Sequence, residues 1–319
     1  IAALGEDEAE RVKAGHAQAQ VGDDQLLTAA LFGQLGFRKT GAYGCIQLNG
    51  VKPMQKHVLA IAVAFTLTST GALAATVVGG SSNPAKVAAG QSNLFGSGNA
   101  GLKFNNASTV IDLAGGPVAQ SNSAIARGPE ANGKTYLKGK DVNFLAGIVL
   151  GDTRVAQVWK NDVAFNGDTT TINTVRQMIV PPLPFMPDFG GLVIGKVEGS
   201  AVYFGEWAPK GPNYTDVAST DLNMGSADRT VWFSGENPTT NMPNLVNAQY
   251  NVVGINQHNP ENPNLYTGVL TANYSTTAGS GNLGGALTRS GSTALDFTGT
   301  TINNVGAFTR DTTISGQFY

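Results

Sequence analysis

The feature that most constrains this chain is a series of short alternating segments that fills residues 229–319. In VNAQYNV (246–252), Val246, Ala248, Tyr250 and Val252 fall on one side, and Asn247, Gln249 and Asn251 on the other. A period of two residues predicts a half-buried strand. LYTGVLTANY (265–274), NLGGALTR (282–289), TALDFTG (293–299), GAFTR (306–310) and TISGQFY (313–319) continue the theme, and TVWFSG (230–235) precedes it. Gly, Asn, Ser and Pro fill the connections. Roughly six to eight closely spaced antiparallel strands predict an up-and-down barrel, which removes exposed sheet edges by closure. No long 3.6-residue period competes with this pattern.

A second segment bears on the fate of the chain. In MQKHVLAIAVAFTLTSTGALAAT (54–76), Lys52 and Lys56 supply a basic flank and Val58 to Leu67 an apolar run. Ala72-Leu73-Ala74 gives the small-x-small pattern cut by signal peptidase, with Ala74 and Ala75 flanking the cut. The run is too short to span a bilayer, which takes about 20 residues. We expect a signal peptide at 54–74, Sec export, and a mature protein that is secreted and not membrane-embedded. Residues 1–53 carry a helix-like acidic stretch, GEDEAERVKAGHAQAQ, unlike anything downstream. They are expected to be an upstream extension outside the mature protein, the alternative being an N-terminal domain ahead of an apolar helix.

Charge excludes one class of partner. The whole chain is −2, and the six basic and six acidic residues before Ala75 cancel, so the remainder is also −2. That leaves no basic field for nucleic acid. The single cysteine, Cys45, precedes the signal, so neither a disulfide nor a cysteine metal site is expected after it.

Residues 75–225 mix short strand-like runs with long loops, and a polar boundary is expected near 211–229. VPPLPFMPDFGG (180–191) must be a loop, because its prolines forbid a helix interior or a central strand. Two readings of its Leu183, Phe185, Met186 and Phe189 stand: they fill the core of their own domain, or they wall an apolar ligand pocket. The aromatics Trp159, Tyr203, Phe204, Trp207, Trp232 and Phe233 read as core.

Catalytic signals are weak. GSGNAG (96–101) and GSGNLG (279–284) match Gly-x-Gly-x-x-Gly, but strand-like sequence follows each, where a dinucleotide site needs a helix. Both read as turns. His258, in INQHNPENPN, is the one histidine after the signal and reads as a solvent-exposed turn residue, not a metal ligand. No Gly-x-Ser-x-Gly elbow occurs. An enzyme is not expected.

The run TVWFSGENPTTNMPNLVNAQYNVVGINQHNPENPNLYTGVLTANY, with LGGALTRSGSTALDFTGTTINNVGAF and ISGQFY, resembles the C-terminal barrel of hemophilin-type proteins. These are secreted hemophores exported by Slam outer-membrane translocators. The ending SGQFY also resembles the barrel of transferrin-binding protein B, whose pattern runs a few residues further. The resemblance implies an all-β chain: an irregular ligand-binding domain at 75–225 and an eight-stranded antiparallel barrel at 226–319 that the translocator reads. It implies heme as ligand and a TonB-dependent heme receptor as partner. One departure matters: the family holds iron with histidine in its N-terminal domain, and 75–225 contains none. Met178, Met186, Tyr203 and Tyr214 are the substitutes. The alternative is a Slam-dependent host-interaction protein that binds a host protein, a glycan or another small ligand.

Overall fold

The computed structural model describes residues 10–12, 16–17, 28–35, 43–47, 62–63, 75–105, 107–180, 188–311 and 314–319. The chain is mainly β, as the alternation predicts. Its centre is a seven-stranded antiparallel sheet made by β1 (Val77–Ser81), β5 (Tyr136–Lys138), β6 (Arg154–Phe165), β7 (Asp168–Gln177), β8 (Gly191–Lys196), β9 (Val202–Ala208) and β10 (Thr230–Glu236). Strands β5 to β10 lie side by side in chain order, and β1 closes the far edge against β10. The long hairpin β6–β7 turns on Asn166-Gly167, both at positive φ (50° and 88°). That is the asparagine-glycine signal of a two-residue hairpin turn, whose left-handed backbone matches the strand twist.

This sheet is covered on both faces, so its strands read as near-continuous apolar runs. All seven residues of β9 are buried. On one face Leu192, Ile194, Tyr203, Trp207 and Trp232 meet Leu102 and Phe104 from a three-stranded sheet, β2 (Val87–Gln91), β3 (Ala100–Phe104) and β4 (Ile111–Asp112). The Phe104 and Trp207 rings stack at 6.2 Å. On the other face Val193, Val202, Phe204 and Phe233 join Tyr250, Leu270, Phe308 and Phe318 of the C-terminal half. Tyr203, Phe204, Trp207, Trp232 and Phe233 are thus core, as expected, while Trp159 is half-buried against it.

The C-terminal half is an antiparallel meander of β11 (Leu245–Ile255), β12 (Tyr266–Ser275), β13 (Ser280–Thr288), β14 (Thr300–Asn303), β15 (Ala307–Arg310) and β16 (Ile314–Phe318). It forms a half-barrel; residues 245–319 do not show the expected closed, eight-stranded barrel. Strands from upstream lie along its edges, Thr28–Leu35 beside β11 and Tyr43–Gln47 beside β16. Two short strands, Glu10–Val12 and His16–Ala17, stand where the acidic stretch was expected to be helical. The signal-peptide segment, apart from the strand Ala62–Val63, lies outside the described residues, as does Ala74. No helix among the described residues is long and apolar enough to cross a membrane.

Two further expectations change. Strand β10, assigned by sequence to the C-terminal barrel, belongs to the seven-stranded sheet, so the sheets divide at 237–244 and not at 225/226. Val246 does not share the buried side of Ala248 and Tyr250; it is 78% exposed. Asn247, at φ 50°, inserts a bulge between Leu245 and Ala248 and reverses the side chains before it. Of the two glycine motifs, 96–99 is a bend that enters β3, whereas GSGNLG is not the expected turn: only Gly279 stands in one, and its other residues belong to β13.

Candidate functional site

Helices supply what the strands alone do not. The segment after β4 bends into α1 (Ala119–Ala126), and β5 leads through α2 (Gly139–Val142) into α3 (Phe144–Leu150). Pro117 stands just before α1, and Gly128 at φ 84° follows it, the usual order of helix-starting and helix-ending residues. Asp112 holds the bend by accepting from Ala114 N (2.9 Å) and Gly115 N (3.2 Å) through one oxygen and from Asn99 Nδ2 (2.7 Å) through the other. Asn143 caps α3, its Oδ1 accepting from Ala146 N at 2.8 Å.

Between these helices and the seven-stranded sheet lies a cleft. The sheet gives Val155, Val175 and Leu192 as its floor; Leu94, Phe95, Phe104 and Ile111 form one wall. Pro117, Gln120 and Ser121 come from the α1 side, and Leu137, Val142 and Asn143 from the α2 side. Phe189 completes the lining. The cleft is open to solvent on one side, and its cavity volume is about 70 Å³. No described residue of the lining is charged.

The polar atoms of the lining are not equivalent. Gln120 Nε2 donates to Val142 O at 3.2 Å, which ties α1 to α2. Asn143 is occupied as the cap of α3. Ser121 is fully buried, and its Oγ has no hydrogen-bond partner among the described residues. Beside the cleft, α3 exposes Ile148 (66%) and Val149 (53%) to solvent.

A second cleft, polar and wider, runs between the loop 218–225 and the turn 257–260. His258 lines it and is buried, contrary to the expectation of an exposed turn residue. The physical reason is Glu206, itself fully buried on β9. Its carboxylate accepts from His258 N (2.5 Å), Gln257 N (3.0 Å) and Arg229 Nη1 (2.7 Å), drawing the turn into the sheet. Arg229 Nη1 also donates to Asn256 Oδ1 at 2.9 Å. Burial pushes the His258 imidazole down to about 4, against the opposing pull of the Glu206 charge. The ring is therefore neutral at physiological pH.

The residues singled out by sequence scatter. Phe189 reaches the apolar cleft; Leu183, Phe185 and Met186 lie outside the described residues. Met178 is buried but does not line the cleft. Tyr203 is buried in the central sheet with Lys196 Nζ 6.0 Å from its ring, and burial pushes its hydroxyl pKa up. Tyr214 lies near Lys210 (5.6 Å) in a small cleft organised by Arg176. Arg176 donates there to the carbonyls of Asn213 (2.8 Å), Asp216 (3.1 Å) and Asp221 (3.0 Å), so that cleft is a loop anchor. Ala75 is described, and its carbonyl accepts from Gln91 Nε2 at 2.9 Å. Among the described residues no group of three or more His, Cys, Asp or Glu side chains could hold a metal ion.

No family model matches this chain.

Proposed function

We propose that this chain is a secreted, non-enzymatic binding protein that takes an apolar ligand in the cleft between α1, α2 and the central sheet. The observation that carries this reading is the cleft: a mainly apolar space, uncharged among the described residues, in the half of the chain where the hemophilin resemblance puts ligand handling. The same resemblance supplies the rest of the reading. Export across the outer membrane by a Slam translocator would use the C-terminal half, and delivery would go to a TonB-dependent receptor.

Heme is the ligand the resemblance brings. Heme iron is held in proteins by His, Cys, Met or Tyr, and none of these lines the cleft among the described residues. The described cleft therefore does not fit axial ligation of iron, and heme would be gripped through its apolar faces alone. The test is a titration of the purified protein with hemin, followed in the visible spectrum. A saturable, shifted Soret band at one equivalent supports a hemophore. An unshifted band, with saturable binding of an uncharged aromatic probe, keeps the cleft as a ligand site and removes heme. The exposed Ile148 and Val149 on α3 favour a second reading, a docking surface for a host protein. That reading expects no ligand in the cleft.

A further inference from the structure

We propose that the cleft selects an uncharged, mainly apolar ligand bearing one hydrogen-bonding group, and that Ser121 Oγ engages that group. The proposal rests on the reading of the cleft as a ligand site. Three observations converge on it. Ser121 is fully buried on α1, lines the cleft, and its Oγ is without a partner among the described residues. The other two polar side chains of the lining, Gln120 and Asn143, are each tied through one amide atom to backbone groups of α2 and α3. No Asp, Glu, Lys, Arg or His stands in the lining among the described residues.

Each observation removes a class of occupant. A hydroxyl without a partner in an apolar site destabilises the empty protein, and a ligand group that completes it recovers that loss on binding. An ionised carboxylate or ammonium drawn to the floor would lose its hydration without gaining a counter-charge. What remains is a neutral alcohol, phenol, ketone or aldehyde on an apolar body. The hydroxyl of Ser121 both donates and accepts, so it serves any of them.

Three probes of one shape separate the possibilities: naphthalene, 1-naphthol and 1-naphthoate, titrated into the full-length protein at pH 7 by fluorescence or calorimetry. The expected order is 1-naphthol tightest, naphthalene about five-fold weaker and 1-naphthoate about ten-fold weaker than 1-naphthol. Ser121→Ala lowers 1-naphthol affinity about five-fold and leaves naphthalene within about two-fold. Val142→Trp, which fills the cleft from a half-buried position, abolishes binding of all three. If 1-naphthoate matches 1-naphthol, or Ser121→Ala leaves 1-naphthol unchanged, the end-group assignment is overturned. In that case naphthalene binding that is still lost in Val142→Trp preserves the cleft reading. If none of the probes binds, or Val142→Trp has no effect, the cleft reading falls and the proposal with it. Near-ultraviolet circular dichroism of both variants confirms that they fold.

Discussion

The Glu206 seam and the Ser121 cleft both bury polar side chains against the central sheet, and they differ in how complete the surroundings are. At the seam a full carboxylate charge is matched by a guanidinium and two backbone N–H groups. In the cleft a neutral hydroxyl has no partner among the described residues. The contrast follows from magnitude. An uncompensated buried charge costs several kcal/mol, more than a marginally stable domain tolerates, while an unpaired hydroxyl costs about 1–3 kcal/mol. A fold can leave a hydroxyl open for a partner that arrives later; it cannot leave a carboxylate open. The seam closes its polar groups on one another, and the cleft does not.

Four measurements press on that contrast. The largest effect is expected at the seam. Glu206→Ala strands the Arg229 guanidinium, only 6% exposed, together with two backbone donors, and should cost about 3–5 kcal/mol in urea denaturation. A loss below about 1 kcal/mol would mean that the seam is not the structural lock described here. The next effect is on pH dependence. His258 titrates near 6.5 when unfolded and at about 4 when folded, so between these values the unfolded chain binds the extra proton. Stability should therefore fall as pH drops from about 6.5 to about 4, by about 3 kcal/mol from this residue, and level off below. His258→Asn should flatten that part of the profile, and an unchanged slope would show that the imidazole is not held neutral.

A smaller effect marks the contact between the halves. Tyr319 donates its hydroxyl to Val78 O at 2.6 Å, and its ring lies where a side chain at Gly235 would stand, 2.6 Å from an added Cβ. Tyr319→Phe should cost about 1 kcal/mol in thermal or urea unfolding, with the ring still in place. A cost near zero would mean that the hydroxyl finds water as readily as the carbonyl. The smallest effect belongs to the cleft. Ser121→Ala should leave the ligand-free protein within about 0.5 kcal/mol of the original, or raise its stability, since it removes a hydroxyl that pairs with nothing. A clear destabilisation would show that Ser121 already has a partner and would erase its contrast with Glu206.

What the sequence revealed depended on how local the cause was. The β class and most of β11 were legible because alternation is a local signal, and Val246 escaped because a bulge needs only one asparagine at positive φ. The Asn166-Gly167 hairpin was open to reading from its dipeptide alone. His258 was misread because the group that buries it lies 52 residues away on another strand. Phe189 was found as an apolar side chain on a proline-rich loop, where such a residue needs an explanation. Ser121 was missed: AQSNSAIA is short and weakly amphipathic, and its only clear signals are Pro117 before it and Gly128 after it. The irregular look of 75–225 also has a cause. A sheet buried on both faces loses the alternation by which strands are recognised.

That doubly covered sheet acts as a party wall. Along β8, Leu192 looks into the cleft, while Val193, the next residue and about 3.4 Å along the strand, belongs to the core shared with the half-barrel. The two halves are not beads on a string that a cut at 237–244 would release intact. Removing the C-terminal half would strip Val193, Val202, Phe204 and Phe233 of their cover and leave a sticky plate in place of a smaller protein. The proposed export and the proposed ligand binding must therefore both allow the two sides of the wall to form together.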